Sequence, residues 1–307
     1  MITFTIRRLF VAIPTLLILI VFSFLLMEAA PGSPFATERG IPPDVLANLE
    51  ARYGLDQPLW TRMGIYIWNI VTGFDFGPSF IFKDRTVNDI IAKGFPVTLT
   101  YGSWAFLSAV LVGGSLGILA AINHNSWLDY LAVGITVGAQ VLPNFVMAPI
   151  LVIVFTLWLG WLPGGGWQGG QWQFIIMPVI ALSTSYMASI ARLTRSSMLE
   201  VLNSNFIRTA RAKGLPVHRV ILVHALKPAL LPVISYLGPA FVGMITGSVV
   251  IDFFFSTGGI GQFFVNSALN RDYSMIMGIT ILTGALTIFF NLLVDVLYAW
   301  IDPKIRY

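Results

Sequence analysis

Trp161-Leu162-Pro163-Gly164-Gly165-Gly166-Trp167-Gln168-Gly169-Gly170 interrupts a run of 62 residues, Tyr130 to Ala191, that carries no charged side chain. No helix would contain that glycine-rich stretch, so it marks a turn between two long apolar segments. A membrane-crossing helix needs about 20 apolar residues, and the run is long enough for two. Working outward, the charge-free segments Leu9 to Met27, Gly94 to Asn123, Pro228 to Ile251 and Tyr273 to Val294 each hold one more. The expected fold is therefore an all-α integral membrane protein with six transmembrane helices, near 9–29, 96–122, 130–159, 174–193, 228–251 and 274–300.

Composition leads to the same class. The 307 residues are 56% hydrophobic and 10% charged, with a mean hydropathy of +0.81. Soluble globular domains carry about 25% charged residues, so a soluble surface could not be covered, and a disordered chain is excluded for the same reason. Cysteine is absent, which excludes disulfide scaffolds and thiolate metal or redox sites. The first apolar segment, Leu9 to Met27, exceeds the roughly 7–15 residues of a signal-peptide core. Glu28 and Pro31 also flank Ala30 unfavourably for cleavage, so a retained membrane anchor is expected.

Lysine and arginine placement sets the expected orientation. With the N-terminus inside, the inner segments hold 11 of the 18 basic residues, among them Arg192, Arg195, Arg208, Arg211, Lys213, Arg219 and Lys227, which face Glu200 alone. The outer segment 31–94 balances its bases with acids. Both termini are then expected in the cytoplasm, as an even number of spans requires. Outside the membrane, Pro42-Pro43-Asp44 and Pro58 are expected to start two short helices. These lie on the membrane interface or cap the bundle, or else help to dock an external partner.

Several energy sources and chemistries are excluded. None of the five lysines is followed by Ser or Thr, so no P-loop lysine exists. Central membrane positions lack ionisable residues, and Asp295 lies about two turns from the inner end of the last span, so an ion-coupled secondary transporter has no site to use. A membrane enzyme would need a base near the serines at 183–185, and the three histidines (His124, His218, His224) all fall in inner segments. No catalytic residue, metal ligand or cofactor is expected. Proline and glycine within the spans (Pro143 and Pro149; Gly113, Gly114 and Gly117; Gly238, Gly243 and Gly247) serve either close helix packing with kinks or a hydrated path. In the second case Gln140, Asn144, Gly243 and Gly247 are the candidates to line it.

The inner loop reads Arg208-Thr209-Ala210-Arg211-Ala212-Lys213-Gly214-Leu215, with Gly214 and Pro216 ending a short helix. Taken alone, it is either a topology signal against lipid headgroups or a helix that hands force to a cytoplasmic partner. It resembles the coupling loop of permeases in bacterial binding-protein-dependent ABC importers. The general signature of that class is Glu-Ala-Ala, three residues, then Gly; here Ala210 and Gly214 fit, and Arg208 and Thr209 replace the first two places. That departure is similar to the peptide and nickel branch. Arg7-Arg8, Ile13-Pro14-Thr15, Asp75-Phe76-Gly77 and the Asp302-Pro303-Lys304-Ile305-Arg306 ending resemble the same branch. Ala30-Pro31-Gly32-Ser33-Pro34-Phe35, Trp161 to Trp167 and Ala268-Leu269-Asn270-Arg271-Asp272-Tyr273-Ser274 resemble its oligopeptide members. Dipeptide, glutathione and nickel permeases are the neighbouring alternatives.

The resemblance implies a type I ABC importer permease in the bacterial inner membrane. Its partners would be a second homologous permease (a heterodimer), two cytoplasmic ATPase subunits, a periplasmic oligopeptide-binding protein, membrane lipid and the peptide substrate, with no nucleic acid. The chain divides accordingly into a tail and first helix (1–30), a periplasmic segment (31–94) and a five-helix core (95–307) that includes the coupling loop at 192–227.

Overall fold

The computed structural model describes residues 2–29, 35, 43–52, 54–82, 84–246 and 248–301, and they are almost wholly helical. In chain order the helices are α1 (Ile2–Glu28), α2 (Pro43–Arg52), α3 (Leu59–Gly73), α4 (Val87–Ile122), α5 (Trp127–Val141), α6 (Asn144–Leu151), α7 (Trp172–Leu202) and α8 (Asn205–Ala212). There follow α9 (Val217–Arg219), α10 (Leu226–Ala229), α11 (Leu231–Thr246), α12 (Val249–Phe255), α13 (Ile260–Asn270) and α14 (Tyr273–Ile301). Short π-helical turns extend α6 through Val152–Trp158 and join α9 to α10 through Val220–Ala225.

Among the described residues, five helical stretches are long and apolar enough to cross a membrane: Phe10–Glu28, Val87–Ile122, Trp172–Leu202, Leu231–Phe255 and Tyr273–Val294. The pair formed by α5 and by α6 with its π extension is a sixth if counted as one span, and it is bent by 102°. The sequence expects one span at 130–159, interrupted at Pro143, Asn144 and Pro149. The break falls at Leu142-Pro143, where Leu142 takes an extended conformation (φ −82°, ψ 112°). A residue before proline is pushed out of the helical region, and proline brings no N–H to continue the ladder.

Helix ends differ from the sequence reading where local chemistry outweighs hydropathy. α4 starts at Val87, not near 96, because Thr86 and Asp89 form a reciprocal capping box (Asp89 N–H to Thr86 Oγ1 3.1 Å, Thr86 N–H to Asp89 Oδ2 3.0 Å). The helix therefore runs across the 94/95 division. α7 continues to Leu202, so Arg192 and Arg195 belong to a helix and not to a loop. The short helices α2 and α3 start where their prolines predict. By contrast, α13 is a helix of 11 residues, too short to span, that span-length hydropathy does not register.

Lipid gives helices little hydrophobic reason to associate, so close backbone approach and polar ties decide packing. The central pair is α4 against α7. A Cβ placed on Gly113 would lie 2.5 Å from the Met187 carbonyl oxygen, and one on Gly117 would lie 2.4 Å from that of Ala191. Only glycine admits this crossing. Around it, Tyr101, Met177, Leu182, Ile190, Met244, Ile251 and Phe255 are fully buried. α1 lies at the periphery against α14. At its C-terminal end Glu28 makes a bidentate pair with Arg62 of α3 (2.9 and 3.0 Å), which fixes α3 to α1.

Candidate functional site

The site suggested by the sequence is built on α8. Ile207 and Ala210 are buried, while Arg208, Thr209, Arg211, Ala212, Lys213 and Gly214 are exposed and Leu215 is half-buried. Ile207 is the anchor: it sits in a cluster with Met198 of α7, Ala121 of α4 and Val220, Ala225 and Ala229 from the chain that follows α8. Spacing 207-210 puts both apolar residues on one face, so the cationic residues are left on the faces that point away from the bundle. The helix closes with the Leu215 N–H to the Ala210 carbonyl (3.4 Å) and the Gly214 N–H to that of Arg211 (2.9 Å). Gly214 takes φ +72° with nothing near its Cβ position, a left-handed cap that glycine adopts without strain. Phe206 on α8 and Val217, Leu222 and Val223 just beyond it are also exposed. The result is a short, rigidly seated helix with a basic outer face beside apolar side chains.

The pathway candidates are partly brought together. Asn144 opens α6 just after the bend, and its Oδ1 accepts a hydrogen bond from Ser185 Oγ of α7 (2.9 Å). The next residue, Tyr186, packs on Gly243 of α11, where a Cβ would lie 2.5 Å from the tyrosine oxygen. Asn144 and Gly243 thus flank one level of α7. Gln140 is exposed on α5 just before the bend. Gly247 lies outside the described residues, as does the side chain of Asp295. Ser183 and Thr184 bond back to the Ile180 carbonyl of their own helix, so of the three hydroxyls at 183–185 only Ser185 ties two helices.

Asp129 and Asp252, two of the three buried carboxylates among the described residues, are given no role in the sequence reading. Asp129 is 2% exposed and receives the Arg195 guanidinium in a fork, Nε to Oδ1 and Nη2 to Oδ2, both 2.7 Å. The Asn125 N–H (3.0 Å) and His124 Nδ1 (3.2 Å) complete its surroundings. A signal existed: Ser126-x-x-Asp129 is a helix-start pattern, and Ser126 Oγ accepts the Asp129 N–H (3.4 Å). Asp252 is fully buried within α12. Thr98 of α4 (3.1 Å), Ser248 (3.2 Å) and Thr257 donate hydroxyls to it, and Gly261 of α13 donates its N–H (3.0 Å). Asp252 therefore joins α4, α12 and α13. The glycine-rich turn closes on the same corner through the Gly166 N–H to the Phe255 carbonyl (2.6 Å).

Comparison with known proteins adds the family. The model described as binding-protein-dependent transport system inner membrane component matches residues 113–307, and that for the N-terminal part of such membrane components matches residues 1–102. The oligopeptide transport system permease protein OppB of Salmonella typhimurium is 60% identical over 307 residues, covering all of both chains. That of Escherichia coli K12 is 59% identical over the same length. The dipeptide transport system permease protein DppB of Bacillus subtilis is 42% identical over 303 residues, 99% of this chain and 97% of that protein. Among solved structures, a chain of the inward-facing MetNI methionine ABC transporter aligns with a TM-score of 0.58 at 15% identity, covering 70% of this chain and 97% of that one. A chain of an amino acid ABC transporter gives 0.56 at 17% identity, covering 69% and 94%. These structural likenesses concern the fold alone.

Proposed function

The chain belongs to the binding-protein-dependent transport system inner membrane components, and from that membership we propose that it is the membrane permease subunit of an ATP-driven importer for oligopeptides. Full-length identity of 60% to an oligopeptide permease, against 42% to a dipeptide permease, favours the longer peptides. The observation that carries the mechanism is α8. Its apolar face is locked onto α4 and α7, and its cations face outward, as a lever docked on a separate motor requires.

In this reading the N-terminus, the C-terminus and 192–227 face the cytoplasm, and 31–94 faces the periplasm. Two ATPase subunits seat α8 and its counterpart on a second, homologous permease. Closing of the ATPase pair moves the coupling helices as rigid bodies, and the bundle opens outward to take peptide from a periplasmic binding protein. Relaxation after hydrolysis returns the path inward. Arg208, Arg211 and Lys213 set orientation and pairing on the ATPase more than affinity. Gln140, Asn144, Gly243 and Gly247 belong to the path between the two permeases, and the three segments 1–30, 31–94 and 95–307 serve as anchor, outer cap and translocating core.

Reconstitution tests the assignment. The purified chain alone in lipid is expected to show no ATP turnover and no specific nucleotide binding. Co-reconstituted with the second permease, the ATPases and the binding protein, it is expected to accumulate oligopeptide only with ATP present. ATP hydrolysis by this chain alone, or ATP-independent uptake, would contradict it.

Orientation is checked with single cysteines, which a Cys-free chain makes simple. Ala47 of α2 and Glu200 of α7 are both exposed. In spheroplasts, an impermeant maleimide is expected to label Ala47→Cys at once and Glu200→Cys only after permeabilisation. The reverse pattern would invert the topology.

A further inference from the structure

α7 does more than end at the coupling helix. It grips the bent α5–α6 pair at two points. At the inner end Arg195 holds Asp129 of α5 in a two-bond fork. Ten residues earlier, about 15 Å along a helix, Ser185 holds Asn144 of α6. Between them lie the bend at Leu142-Pro143 and the exposed Gln140. Beyond Arg195, Met198 seats Ile207 and so fixes α8 to the same helix.

We propose that the Arg195–Asp129 pair is a strut that makes α5 move with the coupling helix, so that displacement of α8 reaches the bend bearing Gln140 and Asn144. This rests on reading α8 as the coupling element. The argument for a strut is geometric. A helix pair held by apolar contacts alone can slide, because such contacts are non-directional. A planar guanidinium bonded to both oxygens of one carboxylate fixes distance and orientation together. Asp129 itself cannot yield, since the Asn125 N–H anchors it to the α4–α5 turn and it is almost wholly enclosed. His124, half-exposed beside both groups, closes the outer side. The pair lies between α8 and the bend, not at either one, which is where a transmitting element belongs. Asp129 and Arg195 are positioning residues in this scheme and touch no peptide.

The test uses the complete transporter with its ATPases, second permease and binding protein. Spin labels on Asn205→Cys at the start of α8 and Leu131→Cys on α5, both exposed positions, report the distance between coupling helix and hairpin. In the otherwise unchanged chain that distance is expected to stay the same between the resting and ATP-trapped states. In Arg195→Met it is expected to broaden or shift on ATP trapping. Peptide moved per ATP is expected to fall about tenfold, within the usual range of coupling between sites, while the ATPases still co-purify. Arg195→Lys keeps the charge without the fork and is expected to fall between; it replaces Arg195→Met if that variant does not accumulate. Normal peptide per ATP with an unchanged distance in either variant overturns the strut. If Gly214→Arg uncouples transport while Arg195→Met does not, the strut alone fails; if Gly214→Arg has no effect, it is the reading of α8 that fails.

Discussion

Gly214→Arg is expected to reach the membrane in normal amount and to abolish peptide uptake. The spans are untouched, and nothing lies within 4 Å of the position its Cβ would take, so the isolated chain has room for the side chain. Two costs remain. The backbone sits at φ +72°, where a residue with a Cβ is strained by about 1–2 kcal/mol. The new cation also projects beside Arg211 and Lys213 from the surface proposed to meet the ATPase. Gly169→Arg is the matched control. Gly169 has φ +69° and equally open space, but it lies in the turn at the other end of the bundle. Gly214→Asn separates the two costs, because asparagine tolerates the left-handed region without adding charge. Expected uptake is near zero for Gly214→Arg, near normal for Gly169→Arg and substantial for Gly214→Asn. ATPase subunits should be lost from purified Gly214→Arg complexes, or should hydrolyse ATP without responding to loaded binding protein. Normal uptake and normal ATPase retention in Gly214→Arg would return the basic inner loop to a topology signal.

The short helix α8 was legible because its determinants are local. Arg208 to Gly214 lie within one short helix and its cap, and a left-handed closing residue reads directly as glycine followed by Pro216. The spans were legible because lipid demands long uncharged segments. The bend at Leu142-Pro143 was marked by its residues, yet hydropathy summed over a window passes through it. Asp129 and Arg195 could not be paired from the sequence: they are 66 residues apart, and Arg195 counted only as an inner-segment cation. Their meeting depends on the α4–α7 crossing bringing the α4–α5 turn beside the inner end of α7. Asp252 was hidden differently. Its donors come from Thr98 of α4, from Ser248 and from the return of α13 through the Thr257-Gly258-Gly259 turn, which are far from it in sequence or formed only by the fold.

That crossing carries the other large prediction. Gly113, Gly114 and Gly117 look equivalent in sequence and are not. Cβ atoms at 113 and 117 would meet backbone atoms of α7 at 2.5 and 2.4 Å, and the one at 117 would also lie 2.6 Å from Thr194 Cβ; at 114 nothing lies within 4 Å. A backbone oxygen held in a helical ladder cannot swing aside as a side chain can, so α4 and α7 must separate. Gly117→Ala is expected to destabilise the purified protein by about 1–3 kcal/mol, the usual cost of overpacking a core. Separation would also pull Arg195 away from Asp129, since Arg195 lies one turn beyond the contact at Ala191. Gly117→Leu is expected to leave no folded protein in detergent. Gly114→Ala should leave the thermal midpoint unchanged or raise it, because alanine is favoured over glycine in a helix by about 0.5–1 kcal/mol. The measurement is the unfolding midpoint of each variant in one detergent, together with the amount recovered as a single species. Equal midpoints for Gly117→Ala and Gly114→Ala would mean that α4 and α7 are not held at glycine-limited distance, and the fixed path from α8 through α7 to the α5 hairpin would lose its rigid base.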